Sequence, residues 1–304
     1  MQPLVPLPDG RARLTEAAPA KINLTLRILG RRADGYHELE SLVVFARLRD
    51  HLTLLPGRPL SLDVHGPTAA AAGVEDNLVL KAAKALGARV MGLQAGRFLL
   101  EKSLPVAAGI GGGSADAAAA LRLLARANGI APDDPLLYAA ARATGADVPV
   151  CVHPVPRIMR GIGDVLSEPL PLPELPAVLV NPGVPAATKE VFAALARGGY
   201  PAGASATNWD ALPPDHTGLV EFLRSERNDL EPPATTLYPA ISQVLAALRA
   251  AKGCRLARMS GSGSTCFGLF DSNKAAEIAA RLLQAPNPTW WVRATVLGAG
   301  SAPP

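Results

Sequence analysis

Apolar residues alternate with polar ones in some stretches of this chain and return at every third or fourth position in others, and the two periods sort it into strands and helices. Ile22 to Leu29, Leu39 to Phe45 and Asp50 to Leu55 carry the strand period, with Ala33-Asp34-Gly35 as turn chemistry after the first. A helical period runs to Gly87 from Asp76, the expected N-cap. Phe98 to Lys102 reads as a strand. Ser114 to Asn128 is Ala-rich, carries Leu121, Leu123 and Leu124, and meets a stop signal at Gly129. Asp134 to Thr144 is a second helix of the same character. The proline-rich stretch Pro169 to Pro176 breaks both periods and marks a domain junction. Beyond it the pattern predicts a strand over Ala177 to Asn181, a helix over Lys189 to Ala196 and an irregular segment from Gly198 to His216. A helix from Leu237 to Lys252 and strands over Arg255 to Met259 and Thr265 to Phe270 follow, then a helix over Lys274 to Leu283 and a strand over Trp291 to Leu297. Strands and helices segregated within each half predict an α+β fold. Two domains are expected, 14–168 and 169–298, with loose tails at 1–13 and 299–304.

Composition narrows the chemistry. A chain of 304 residues that is 49% hydrophobic can bury its core without covalent staples. Its cysteines, Cys151, Cys254 and Cys266, are odd in number and lack C-x-x-C spacing, so they point neither to zinc nor to a disulfide framework and suit a reducing cytoplasm. No uninterrupted apolar run reaches the ~18 residues of a membrane span. The net charge of +4 suits acidic small molecules as well as nucleic acid. Scattered arginines and only 4% aromatics give no basic stripe interleaved with stacking rings, so a phosphorylated small molecule is the expected partner, not nucleic acid or a membrane.

The densest chemistry is Leu104-Pro105-Val106-Ala107-Ala108-Gly109-Ile110-Gly111-Gly112-Gly113-Ser114, followed by Ala115, between a strand and the Ala-rich helix. Glycines let backbone approach a ligand closely, and a helix start supplies unpaired N–H groups and a positive dipole end, which suits phosphate. The run is not a Walker loop, since no Gly-Lys-Ser/Thr follows, nor a dinucleotide fingerprint, since Ser114 and Asp116 stand where glycine is needed. In Pro19-Ala20-Lys21-Ile22-Asn23-Leu24, Lys21 and Asn23 share one strand face, a cation for an anion and an amide to orient a hydroxyl or base. Gly145-Ala146-Asp147-Val148-Pro149 places a carboxylate in a loop after a helix, and Met259-Ser260-Gly261-Ser262-Gly263-Ser264 is a second Gly-rich turn. Taken singly, each has a plainer reading: a tight turn, a solvated lysine, a turn-forming aspartate, a hairpin.

Taken together and in this order, the four segments resemble the GHMP kinase superfamily, which includes galactokinase and the homoserine, mevalonate and phosphomevalonate kinases. The resemblance runs from Ala18 to Phe270, and Arg31-Arg32-Ala33-Asp34-Gly35-Tyr36-His37-Glu38-Leu39 points within it to the branch acting on a cytidine-diphosphate-linked methylerythritol. It implies an N-terminal ATP-binding lobe, a C-terminal ferredoxin-like α/β lobe and an active site between them. It also implies transfer of the ATP γ-phosphoryl group to the acceptor's 2-hydroxyl, on the non-mevalonate route to isoprenoids. Asp147 then stands as the base and Lys21 as the cation beside it. Asn23, Tyr36, His37, Thr188 and Phe192 fall near the cytidine diphosphate, the rings sandwiching the base. Asn77 and Lys102 fall near the adenosine, the run from Pro105 to Ala115 around the phosphates, and Gly261, Ser262 and Gly263 in the second lobe's turn. Mg²⁺ is implied with ATP, with no protein ligand assigned. Another activity of the same superfamily, a non-catalytic phosphometabolite-binding module and, on charge alone, a nucleic-acid binder remain open.

Overall fold

One twenty-residue strand, β4 (His37–Pro56), organises the N-terminal half of the computed structural model, which describes residues 5–6, 12–73, 76–199 and 207–298. The sequence reads as two strands there. The ladder nevertheless continues, because Arg49 and Asp50 still pair, with Pro19 and Ala18. Around β4 lie β1 (Val5–Pro6), β2 (Ala12–Asn23), β3 (Arg27–Arg31), β5 (Ser61–His65), β6 (Gly96–Glu101), β7 (Arg157–Gly161) and β8 (Val165–Leu166). β2, β3, β6 and β7 pair antiparallel with β4, and β5 runs parallel to β6. Within the tail expected at 1–13, Val5 and Pro6 pair with Arg13 and Ala12, while 1–4, 7–11 and 299–304 lie outside the described residues. The single strand expected over 22–29 breaks after Asn23. There the Leu26 N–H donates to Arg227 O and the Asp229 N–H to Leu26 O, so the chain leaves the sheet to meet the other half.

Helices α1 (Leu78–Gly87), α2 (Gly112–Asn128), α3 (Pro135–Thr144) and α4 (Val148–Val152) cover this sheet. Asn77, not Asp76, caps α1 by accepting the Val79 N–H. Small side chains let α2 seat closely: Ala115 and Ala117 to Ala120 are buried with Leu121, Leu123 and Leu124, and Gly129 ends the helix in the left-handed region as its position predicted.

The C-terminal half contains β9 (Leu175–Asn181), α5 (Thr188–Gly198), α6 (His216–Ser225), α7 (Glu231–Leu237), α8 (Pro239–Ala250), β10 (Cys254–Met259), β11 (Cys266–Phe270), α9 (Asn273–Gln284) and β12 (Trp291–Leu297). The helix expected over 237–252 is α8, which starts at Pro239 and not at Leu237, because the proline forces Tyr238 before it out of the helical region and separates α8 from α7. The sheet order β12-β9-β11-β10 places the last strand beside the first and the third between the first and second, the ferredoxin-like arrangement. Both faces of β9 are buried. Val178 and Val180 face a core shared with α5, α8 and α9, while Ala177 and Leu179 join Ile22, Leu24, Leu42, Val44, Leu104, Ala108 and Ile110 in a core between the halves. This explains the continuous apolar run at 177–180. The halves also join at a sheet edge, where Leu297 pairs with Ala46.

Candidate active site

The Gly-rich run is a loop for its first half and a helix for its second. Gly112 and Gly113 already belong to α2, which begins earlier than its alanines suggest. The first helical hydrogen bond runs from the Ala115 N–H to Gly111 O, so the N–H groups of Gly112, Gly113 and Ser114 lack helical acceptors, and no side chain caps them. Before them Gly109 (φ 73°) and Gly111 (φ 60°) sit in the left-handed region, with Ala107 (φ 52°) at the exposed crest beside Pro105 and Val106. Alternating glycines and apolar residues build this shape. Ala108 and Ile110 are pegs in the core between the halves, and the glycines allow close approach: a Cβ on Gly111 would stand 3.0 Å from Lys21 Cβ.

Lys21 lies beneath the loop. Its N–H donates to Ile110 O at 2.9 Å, and its Nζ meets Asp147 Oδ1 at 2.7 Å. The lysine side chain is 5% exposed and the aspartate 38%, so a buried cation holds one oxygen of a carboxylate open to solvent. Asp147 follows α3 and starts α4 without capping it, which leaves its other oxygen free of that duty.

The second Gly-rich turn joins β10 to β11 as a hairpin and presses against the first. A Cβ on Gly109 would come within 2.7 Å of Ser260 O and closer still to Gly263 O. Ser260 ties three segments together: its Oγ accepts the Asn23 N–H at 3.1 Å and donates to Gly109 O at 3.0 Å. The Thr265 N–H donates to Ala108 O, Asn228 Nδ2 donates to Met259 O and Gly261 O, and Asn181 Nδ2 donates to Ser264 Oγ and Thr265 Oγ1. Asn23 Nδ2 donates to Ser41 Oγ at 2.7 Å, while its buried Oδ1 has no partner among the described residues. Thr188 and Ser262 hydroxyls lie 2.8 Å apart, so α5 also reaches the turn.

His37 and Phe192 stack directly on one another, with ring centroids 4.7 Å apart, so a base cannot lie between these two rings unless they part. Burial, with a smaller contribution from Arg31, lowers the His37 pKa below its ordinary value, which favours the neutral ring. Tyr36 is 62% exposed, its N–H bonded to Asp34 Oδ1. Two expected adenosine residues stand apart from the loop's open face. Asn77 is occupied as a helix cap, and the Lys102 ammonium is turned inward, to Asp50 Oδ2 at 2.5 Å and Asp116 Oδ2 at 2.6 Å. Sequence reasoning missed Asp50, Asp116, Ser41, Ser260 and Asn228. Only Asp116 carried a local signal, a charge on the buried side of an Ala-rich helix. Among the described residues no three His, Cys, Asp or Glu side chains gather to hold a metal ion. Mg²⁺ is commonly bound through one or two carboxylates together with substrate phosphates and water, so it does not require such a group.

Residues 77–154 match the family model described as GHMP kinases N terminal domain and 214–288 that described as GHMP kinases C terminal. The chain is 57% identical over 294 residues to the 4-diphosphocytidyl-2-C-methyl-D-erythritol kinase of Rhodopseudomonas palustris, covering 94% of this chain and 98% of that one. It is 56% identical to the protein of the same name from Methylorubrum extorquens, over 93% and 99% of the two chains. A crystal structure of 4-(cytidine 5'-diphospho)-2C-methyl-D-erythritol kinase superposes with a TM-score of 0.76 at 35% identity, covering 94% of this chain and all of that one. Homoserine kinase from Cytophaga hutchinsonii, at 18% identity and a TM-score of 0.67 over 95% and 96% of the two chains, shares the fold. With such identity across nearly its whole length and both halves of the site in contact, this chain belongs to the 4-diphosphocytidyl-2-C-methyl-D-erythritol kinase family of the GHMP kinases.

Proposed function

We propose that this protein transfers the γ-phosphoryl group of ATP to the 2-hydroxyl of 4-diphosphocytidyl-2-C-methyl-D-erythritol, giving the 2-phosphate and ADP, in the methylerythritol phosphate route to isoprenoids. The observation that carries this reading is the 2.7 Å Lys21–Asp147 pair beneath a glycine loop whose uncapped helix start offers free N–H groups. An alcohol is a poor nucleophile, so its proton must pass to a positioned base as the bond to phosphorus forms. Asp147 is that base in our reading. Lys21 fixes one of its oxygens, leaves the other for the acceptor hydroxyl, and adds positive charge beside the transferring group. The N–H groups of Gly112, Gly113 and Ser114 receive the ATP phosphates. Mg²⁺ bound to those phosphates would offset their charge during transfer.

The acceptor's cytosine is assigned to Tyr36 and the stacked pair of His37 and Phe192, its phosphates to Thr188 and the turn at 261–263, and one of its hydroxyls to Asn23. The orphaned Asn23 Oδ1 supports this, because a buried acceptor without a protein partner calls for a ligand donor such as a hydroxyl. We divide the lobes at 168/169, within the stretch 167–174 that links β8 to β9 and belongs to neither strand nor helix. A coupled ADP-release assay tests the reaction, with the cytidyl acceptor set against mevalonate, galactose and homoserine. Only the first is expected to release ADP. Asp147→Asn should lower turnover by at least about a hundredfold, the usual range for general-base loss, with ATP affinity kept. Turnover within a few-fold of the parent would remove Asp147 from the role of base.

A further inference from the structure

Behind the phosphate loop, and unused by the reaction as derived above, lies a buried charge cluster drawn from three elements. Lys102, just after β6, places its ammonium between Asp50 of β4 and Asp116 in the first turns of α2. All three side chains are at most 4% exposed. Asp50 is saturated: its Oδ2 takes the ammonium, and its Oδ1 accepts the N–H groups of Ser103 at 2.6 Å and Leu104 at 2.8 Å. Asp116 is not. Its Oδ2 takes the ammonium at 2.6 Å, but its buried Oδ1 has no partner among the described residues. The cluster touches the loop, since a Cβ on Gly112 would lie 3.3 Å from Lys102 Nζ.

We propose that Asp50 and Asp116 are positioning residues for the phosphate loop, joining the end of β6 to the start of α2 through the Lys102 ammonium, and that Asp116 takes up a proton from solvent when the nucleotide binds. The inference rests on the loop being the ATP site. One ammonium cannot neutralise two carboxylates, so with all three groups ionised a net negative charge would stand directly behind the backbone that receives phosphates. Protonating one carboxylate removes it. Asp116 is the one, because Asp50 has three donors and Asp116 has one.

Asp116's ionisation agrees with this. Burial raises its pKa to about 7 despite the opposing pull of Lys102, and Asp50 adds to the rise. The pKa of Lys102 is also raised, since the two carboxylates outweigh the lowering effect of its own burial, so it stays an ammonium. From α4 the nearest titratable group is Cys151, whose thiol burial pushes up to about 12 and leaves neutral, and beyond it stand Lys21 and Asp147. Anionic phosphates in front of the loop raise the proton affinity of Asp116 further. ATP affinity should therefore be level at low pH and fall as pH rises above about 7.

Titration calorimetry of the full chain with Mg²⁺ and ATP, in buffers of differing ionisation enthalpy near pH 7.5, reads this directly. The parent should take up a few tenths of a proton. Asp116→Asn, which mimics the protonated carboxyl, should abolish that uptake and flatten the pH dependence of affinity. Asp50→Asn turns an amide toward the ammonium and should raise the KM for ATP at least tenfold while leaving the acceptor KM and saturating kcat within a few-fold. Asp50→Glu should recover part of the loss. If Asp50→Asn does not fold, the calorimetry on Asp116→Asn still decides. ATP binding by the parent without proton uptake, the same uptake in Asp116→Asn, or an equal rise in both KM values for Asp50→Asn would overturn the proposal. No ATP binding by the parent would overturn the kinase reading itself.

Discussion

Replacing Gly109 with alanine tests whether the two glycine turns are held together by backbone contact. Gly109 has φ 73°, and its added methyl would point at the carbonyls of Ser260 and Gly263 in the other half of the molecule, neither of which is a flexible side-chain end. The left-handed conformation costs a non-glycine residue roughly 1 kcal/mol. Relieving the clash parts the turns and strains the bonds from Ser260 Oγ to Gly109 O and from the Thr265 N–H to Ala108 O, each worth about 1 kcal/mol net and more if the buried groups stay unpaired. The sum is roughly 3–5 kcal/mol, or on the order of 10 °C in Tm for a chain of this size. Gly129→Ala is the control: it shares the positive φ, 66°, but an added Cβ there meets nothing within 4 Å, so only the conformational cost of about 1 kcal/mol should appear. Thermal melting of both variants beside the parent, with the KM for ATP measured on each, separates the contributions. Gly109→Ala should melt well below Gly129→Ala and bind ATP at least tenfold more weakly. If the two variants melt together, the contact between the turns does not hold the loop.

Three further outcomes follow from particular residues. Phe192→Ala removes a stacking face worth roughly 1–3 kcal/mol per base; it should lower kcat/KM for the cytidyl acceptor by about one to two decades and leave the KM for ATP unchanged, and an ATP effect of equal size would move the acceptor site elsewhere. The raised pKa of Asp116 means that the folded chain binds more protons than the unfolded one between the ordinary carboxylate range and about 7, so this group's contribution makes stability fall as pH rises through that window and level off above it. Urea denaturation across that range should show the slope in the parent and a shallower one in Asp116→Asn; identical slopes would refute the assignment. Gly112→Val places its side chain against Lys102, not in the space of the phosphates. It should therefore lower Tm and ATP affinity together, and an affinity loss at unchanged Tm would mean that the side chain points outward.

What the sequence disclosed was the chemistry that is local along the chain. The glycines of 109–113, the stop at Gly129 and the aspartate after α3 each announce themselves within a few residues, because turn and capping preferences act over that distance. Lys21 announces less: on a strand it reads as a solvated cation, and only its partner Asp147, from a distant loop, accounts for its burial. Ser260 and Asn228 do their work through backbone groups of other segments, which no side-chain pattern records. The same holds for the break after Asn23, made by a pairing of Leu26 with residues 227–229 that periodicity cannot contain. Helices α6 and α7 were missed between an irregular stretch and a proline, where short amphipathic runs give little signal.

The placement of the loop's apolar residues ties the proposed nucleotide and acceptor sites to one another. Leu104, Ala108 and Ile110 are buried in the core that Leu179 and Phe267 of the second lobe complete, so the floor of the proposed phosphate site is the interface between the lobes. Ser260 bonds on one side to Gly109 of that loop and on the other to Asn23 of the proposed acceptor site. A displacement of one lobe relative to the other must therefore disturb both sites, since close-packed interfaces shift between discrete arrangements instead of deforming continuously. The reacting atoms of two substrates must come within about 3.5 Å in line for phosphoryl transfer. A shared floor with a single serine bonded to both walls supplies that registration from the fold itself.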